Sequence, residues 1–114
     1  MSDCLFCKII AGEIPSKKAY EDDDVLAFYD VDPQAPTHIL IVPKKHFDSI
    51  RDISEKDAAL LSKLFGVANS LAKEKGFDEN GFRLVINTGK DGGQSVPHLH
   101  IHLMGGRSFG WPAG

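Results

Sequence analysis

Apolar positions recur along this chain with two different spacings, and the spacing assigns the elements. In residues 4–11, Leu5, Phe6 and Ile9 gather along one side of two helical turns, which Gly12 and Pro15 close. Glu21-Asp22-Asp23-Asp24 reads as a solvated turn between elements. Residues 25–30 alternate, Leu26, Phe28 and Asp30 against Val25, Ala27 and Tyr29, which is the period of a strand. Pro33 and Pro36 mark a loop, because proline removes ladder donors. Residues 38–42 (His-Ile-Leu-Ile-Val) are apolar on both faces beyond the histidine, as in a buried central strand, and Pro43 ends it. Residues 54–75 carry a long helix with Leu60, Leu61, Leu64, Val67, Ala68 and Leu71 as its stripe. Ser54 and Asp57 resemble a capping box, with Asp where Glu or Gln is usual, and Gly76 is the stop. Alternation returns in 82–87, a glycine-rich loop fills 89–95, and a last strand is expected over 98–104. Gly105 and Gly106 then release the tail, 107–114. Short helix, strands, long helix, strands: the order predicts an α+β fold with a mainly antiparallel sheet, one long helix and one short one. An edge strand is left to cover, and a homodimer through the helix or the sheet would cover it.

Composition narrows the field. A chain of 114 residues, 42% hydrophobic and 25% charged, is expected to be one globular domain spanning 1–114. Lys plus Arg is 13 against 16 for Asp plus Glu, a net charge of −3, so no broad basic face for nucleic acid is expected. No apolar run approaches the ~18 residues of a membrane span, and the first residues lack the pattern of a secretory leader. A cytoplasmic protein is the expectation.

Three of the five histidines fall in His98-Leu99-His100-Ile101-His102. On a strand their imidazoles share one face, about 6.5–7 Å apart, and Leu99, Ile101 and Leu103 share the other. Such a row is a His-rich polar face, a metal site in which His-X-His supplies two ligands, or a nucleophile with flanking imidazoles that bind or protonate its target. The preceding Gly92-Gly93-Gln94-Ser95 favours the last, since its backbone N–H groups and hydroxyl suit an anion such as phosphate. It is not a Walker loop, because no Gly-Lys-Ser/Thr follows at that spacing.

His98-Leu99-His100-Ile101-His102-Leu103-Met104 resembles the signature of the histidine-triad (HIT) superfamily. Phe6-Cys7-Lys8-Ile9-Ile10, Phe28-Tyr29-Asp30, Gln34-Ala35-Pro36-Thr37-His38, Val42-Pro43-Lys44-Lys45-His46 and Gly92-Gly93-Gln94-Ser95-Val96 are similar to other family blocks. Gly105-Gly106-Arg107 with Trp111-Pro112-Ala113-Gly114 resembles the Hint branch. The resemblance implies hydrolysis of purine nucleoside phosphoramidates through a nucleotidyl-histidine intermediate, with no cofactor required. It implies His100 as nucleophile, His102 on a phosphoryl oxygen, His98 as the first triad member and His38 as a fourth, supporting histidine. Ser95 would serve the leaving amine; Asn87, Gly93, Gln94 and Val96 would complete the phosphate cradle. Asp30 would hold the ribose, and Leu5, Phe6, Ile9, Phe28 and Val31 would wall the base; by spacing alone those five are equally ordinary core. His102, where the transferase branch has Gln, favours hydrolysis. Gly110 in a short tail leaves the leaving group less defined. A dinucleoside polyphosphate hydrolase, or a nucleotide- or zinc-binding interaction protein with vestigial activity, are the alternatives.

Cys4-X-X-Cys7 admits two buried thiols, a redox pair without its usual βαβ setting, or half of a metal site. By resemblance to zinc-binding superfamily members, the other ligands would be His46 and His98, a closed structural shell.

Overall fold

The computed structural model describes residues 3–114. Helix α1 spans Leu5–Ile10 and starts at Cys4, whose sulfur accepts the Cys7 backbone N–H at 3.3 Å. Strands β1 (Lys18–Glu21), β2 (Val25–Tyr29) and β3 (Thr37–Pro43) follow, then two short 3-10 turns, helix α2 (Ala58–Lys75), β4 (Phe82–Val85) and β5 (Ile101–Gly105). The five strands form one sheet in the order β1-β2-β3-β5-β4, every neighbour antiparallel. This is the expected α+β architecture.

The long helix follows its pattern closely. Both halves of the Ser54–Asp57 capping box are formed, with the Ser54 N–H donating to the Asp57 carboxylate at 3.1 Å. Residues 55–57 make a 3-10 turn before α2 proper. Gly76 ends it in the left-handed region at φ 84°, where a Cβ would be strained. Leu64, Val67, Ala68 and Leu71 are buried, as is Ala72, while Leu60 and Leu61 are only partly so.

Several expectations are corrected. Strand β1 lies where no alternation was legible, since Lys18-Ala19-Tyr20-Glu21 is an outer strand with only Ala19 half-buried. The acidic run is, as expected, a largely exposed turn between elements, except that Glu21 ends β1 and pairs with Lys18 and Lys44 at 2.7 and 2.8 Å. Asp22 accepts the backbone N–H groups of Asp24 and Val25 and the Tyr20 hydroxyl. In α1, Phe6 and Ile9 turn inward but Leu5 is 44% exposed. β4 stops at Val85. β5 starts at Ile101 and not His98, because the Leu99 N–H donates to the Phe47 carbonyl at 2.7 Å, outside the ladder.

The two faces of the sheet carry separate cores. On one, Val25, Ala27, Ile39, Ile41, Leu99, Ile101 and Leu103 pack with α2. On the other, Leu26, Phe28, Leu40 and Val42 pack with Cys4, Phe6 and Ile9 of the α1 segment. Among the described residues, no helix is long and apolar enough to cross a membrane.

Candidate active site

The alternation expected of the histidine row survives although only His102 lies in a paired strand. Leu99, Ile101 and Leu103 enter the α2 core, while His98 and His100 meet the Phe6 ring edge-on at 5.9 and 5.0 Å on the opposite face. The His100 and His102 rings are 5.0 Å apart. Burial exceeds that of a half-exposed strand: His98 is 0% exposed and His100 4%.

Each ring has its tautomer set by one neighbour. His100 Nδ1–H donates to the His98 carbonyl at 2.7 Å, which leaves Nε2 with its lone pair. Burial lowers the His100 pKa, against the opposing pull of the His98 carbonyl and Asp30, so the ring is neutral at pH 7. The Gln34 N–H donates to His38 Nδ1 at 3.0 Å, so His38 Nε2 carries the proton and donates to His102 Nδ1 at 2.9 Å. That places the remaining His102 proton on Nε2. Burial, then the charges of His100 and His38, hold the His102 pKa down to about 4. Burial also lowers that of His38, against Asp30 and Asp32.

His100 and His102 line a cleft of about 580 Å³ between α1 and the sheet. Of the residues expected to hold a nucleotide, Leu5, Phe6, Ile9, Phe28, Asp30, Val31, Ser95 and Val96 all line it. Val31 is fully exposed. Asn87, Gly93 and Gln94 do not line it. Asn87 Nδ2 donates to the Gly92 carbonyl at 2.7 Å, and Gln94 ties the Gly89 N–H to the carbonyls of Asp48 and Val96. These side chains frame the loop that presents Ser95. Gly92 is required there, since a Cβ would stand 2.3 Å from the Thr88 carbonyl oxygen. Leu40 and Ile14 also wall the cleft; Leu40 was readable from its parity with His38 on β3, whereas Ile14 follows from the path after α1, which carries no periodic signal.

A second cluster adjoins the first. His98 Nδ1 lies 3.3 Å from Cys4 Sγ, 3.5 Å from Cys7 Sγ and 3.1 Å from His46 Nδ1, and Cys7 Sγ is 3.3 Å from His46 Nδ1. His98 Nε2–H donates to the Pro43 carbonyl at 2.9 Å and His46 Nε2–H to Asp48 at 2.7 Å. Both imidazoles therefore turn a lone pair toward the thiols, with a carbonyl and a carboxylate behind them, the arrangement of metal-ligating histidines. Two sulfurs and two such nitrogens within 4.8 Å fit one tetrahedral ion. Asp48 was not read from sequence; its signal is the carboxylate two residues after His46.

Asp30, His38 and His102 also bring ligand atoms within 4.8 Å of one another. Their tautomers argue against a metal. An ion on His38 Nε2 would force the ring proton onto Nδ1, facing the Gln34 N–H. That cluster is a proton-ordered chain rather than a ligand shell.

The HIT domain family model matches residues 11–109. This chain belongs to the HIT domain family. It is 46% identical over 108 residues to the purine nucleoside phosphoramidase of Escherichia coli (strain K12), covering 95% of this chain and 91% of that protein. The 14 kDa zinc-binding protein of Brassica juncea is 49% identical over 114 residues, 98% of this chain and 100% of that one. The crystal structure of the HIT family hydrolase from Legionella pneumophila Philadelphia 1 superposes with a TM-score of 0.97 at 51% identity, over 98% of this chain and 100% of the other. The HIT fold is thus shared, and the chain is like a HIT family hydrolase.

Proposed function

We propose that this HIT protein hydrolyses the P–N bond of purine nucleoside 5′-phosphoramidates through a covalent nucleotidyl intermediate on His100. The observation that carries the reading is the 2.7 Å bond from His100 Nδ1 to the His98 carbonyl, which fixes the lone pair on Nε2 of a neutral ring in the cleft. Nε2 attacks the α-phosphorus, the P–N bond breaks, and the amine leaves with a proton supplied by the Ser95 hydroxyl or by water. The positive charge arising on the ring is held by the carbonyl at Nδ1. In the second step water attacks the same phosphorus, the P–Nε2 bond breaks, and the nucleoside monophosphate forms as the attacking water returns a proton to the Ser95 oxygen or hydroxide left by the first step. His102 Nε2–H donates to a phosphoryl oxygen, His38 orients His102, and Asp30 accepts from the ribose hydroxyls. Leu5, Phe6, Ile9, Phe28 and Val31 enclose the base, and the loop framed by Asn87, Gly93 and Gln94 brings Ser95 and Val96 to the phosphate.

Cys4, Cys7, His46 and His98 hold a structural zinc in this reading. When bound, it supplies a cross-link between α1 and the catalytic segment, and no chemistry of the reaction. The 14 kDa zinc-binding relative and the tautomers of His46 and His98 support it. The reading also takes residues 1–114 as one HIT-like domain, homodimeric through an open sheet edge such as β4, and working in the cytoplasm, whose reducing poise keeps the thiols available.

The test is turnover of adenosine 5′-phosphoramidate against a diadenosine polyphosphate, with His100→Asn as control. The phosphoramidate is expected to be the better substrate, and an adenylyl adduct should be trapped on His100 by mass spectrometry. His100→Asn should retain AMP binding and lose turnover; a loss smaller than about tenfold would refute the nucleophile. Preference for the polyphosphate would move the assignment to that hydrolase class. Tight AMP binding with negligible turnover of either compound would make this a binding protein.

A further inference from the structure

We infer that the Cys4/Cys7/His46/His98 cluster and the nucleotide cleft are energetically coupled, so that a metal in the first raises the affinity of the second and the nucleotide raises that of the metal. The inference rests on the two readings above, a zinc shell and a nucleotide cleft, and adds the link between them.

His98 belongs to both sites. Its Nδ1 faces the two thiols and His46, its Nε2 is fastened to the Pro43 carbonyl, and its own carbonyl accepts the His100 proton. Whatever fixes His98 fixes the orientation of the His100 ring. Helix α1 belongs to both sites as well. Cys4 is its N-cap and Cys7 lies within it, while Phe6 and Ile9, from the same six residues, wall the cleft. The Phe6 ring is 5.0 Å from His100 and 5.4 Å from Phe28.

A helix this short has little stability of its own. It has no acidic residue in its first turn to complement the dipole, and its N-terminal side-chain cap is the weak sulfur acceptor of Cys4. Its order depends on packing against the sheet and on what joins its first turn to residues 46 and 98. A metal makes that join. The nucleotide, held between Phe6, Ile9 and the sheet, orders the same helix from the other side. Two ligands that order one element lower each other's ordering cost, and the effect is reciprocal by linkage.

The experiment uses the wild-type chain, stripped by chelator and reloaded with one equivalent of zinc, and AMP as the nucleotide probe. Calorimetry gives the AMP affinity of both forms. Competition with a chromophoric chelator gives the zinc affinity with and without saturating AMP. Both affinities are expected to rise by the same factor, at least about fivefold. Hydrogen exchange of amides 5–10 should slow with zinc alone, slow with AMP alone, and slow furthest with both. In His46→Ala, which removes a ligand that touches neither the cleft nor His100, added zinc should leave AMP affinity at the stripped wild-type value. Zinc and AMP that both bind the wild type yet change each other's affinity by less than about twofold would overturn the coupling alone. Failure of zinc to bind would remove the metal reading and the coupling with it, and failure of AMP to bind would remove the nucleotide reading and the coupling together.

Discussion

At His38 a single ring is held from both sides, by the Gln34 N–H at 3.0 Å and by His102 at 2.9 Å. It touches no reacting atom in the proposed mechanism, yet it decides which nitrogen of His102 carries the proton. With His38→Ala, His102 Nδ1 loses its donor and the ring is free to hold its proton there, away from the phosphate. Leaving such a buried group unsatisfied costs about 1–3 kcal/mol, so kcat is expected to fall roughly 5- to 150-fold. Because His38 acts through His102, KM should stay within about twofold; a fall in binding with kcat intact would assign His38 to the nucleotide instead. That His98, His100 and His102 share a face is legible from alternation, and that His38 stands beside His102 is implied by the resemblance. Their tautomers are not legible. Those depend on the backbone groups of Gln34, Pro43 and His98, which become neighbours only once the chain has turned.

Among the elements, α2 was the most legible because one apolar stripe, one capping box and one terminal glycine all agreed. Strands β2 and β3 followed from alternation and from an unbroken apolar run. β1 leaves no pattern in the sequence because an outer strand of four residues buries almost nothing. The start of β5 is not legible in the sequence because a carbonyl from residue 47, far along the chain, captures the Leu99 N–H. Loop 89–95 is legible as glycine-rich, but the bonds by which Asn87 and Gln94 frame it are not, since their partners include the Asp48 carbonyl, remote in sequence. Two substitutions probe this scale. Leu64→Ala, at a position with no solvent exposure, is expected to lower unfolding free energy by about 2–5 kcal/mol in urea titrations, with kcat at 25 °C unchanged because α2 lies across the sheet from the cleft. Gly92→Ala should do the reverse: the 2.3 Å approach to Thr88 forces the loop to move, so turnover should fall by far more than stability. A Gly92→Ala protein with wild-type kcat would show that the loop's shape is irrelevant to the reaction.

For the molecule as a whole, separate cores on the two faces of one sheet divide stability from chemistry, but acid touches both. His38 is buried and His102 half-buried, and both have pKa values below the ordinary imidazole value, His102 at about 4. Well above pH 6.5 both are neutral folded or unfolded and contribute no slope. As pH falls from about 6.5 toward 4 the unfolded chain takes up protons that the folded one resists, so stability is lost across that window. Glu21, lowered to about 2 by its bonds to Lys18 and Lys44, loses its contribution only at lower pH. Urea midpoints should therefore drop between pH 7 and pH 5; a flat profile would mean that the imidazoles are not held neutral.

The alternation at the end of the chain has a consequence for how such a protein can vary. From His98 to Leu103 the even-numbered residues share one face, His98 against the cysteines and His100 and His102 in the cleft, and the odd-numbered ones enter the layer beneath α2. The stretch therefore behaves like a reading frame. Losing or gaining one residue inside it would exchange the two sets, driving imidazoles into hydrocarbon and Leu99, Ile101 and Leu103 toward the cleft in the same stroke. Insertions should be tolerated in the exposed run from 110 to 114 and purged from these six positions, so the length of that segment is under tighter constraint than the identity of its apolar members.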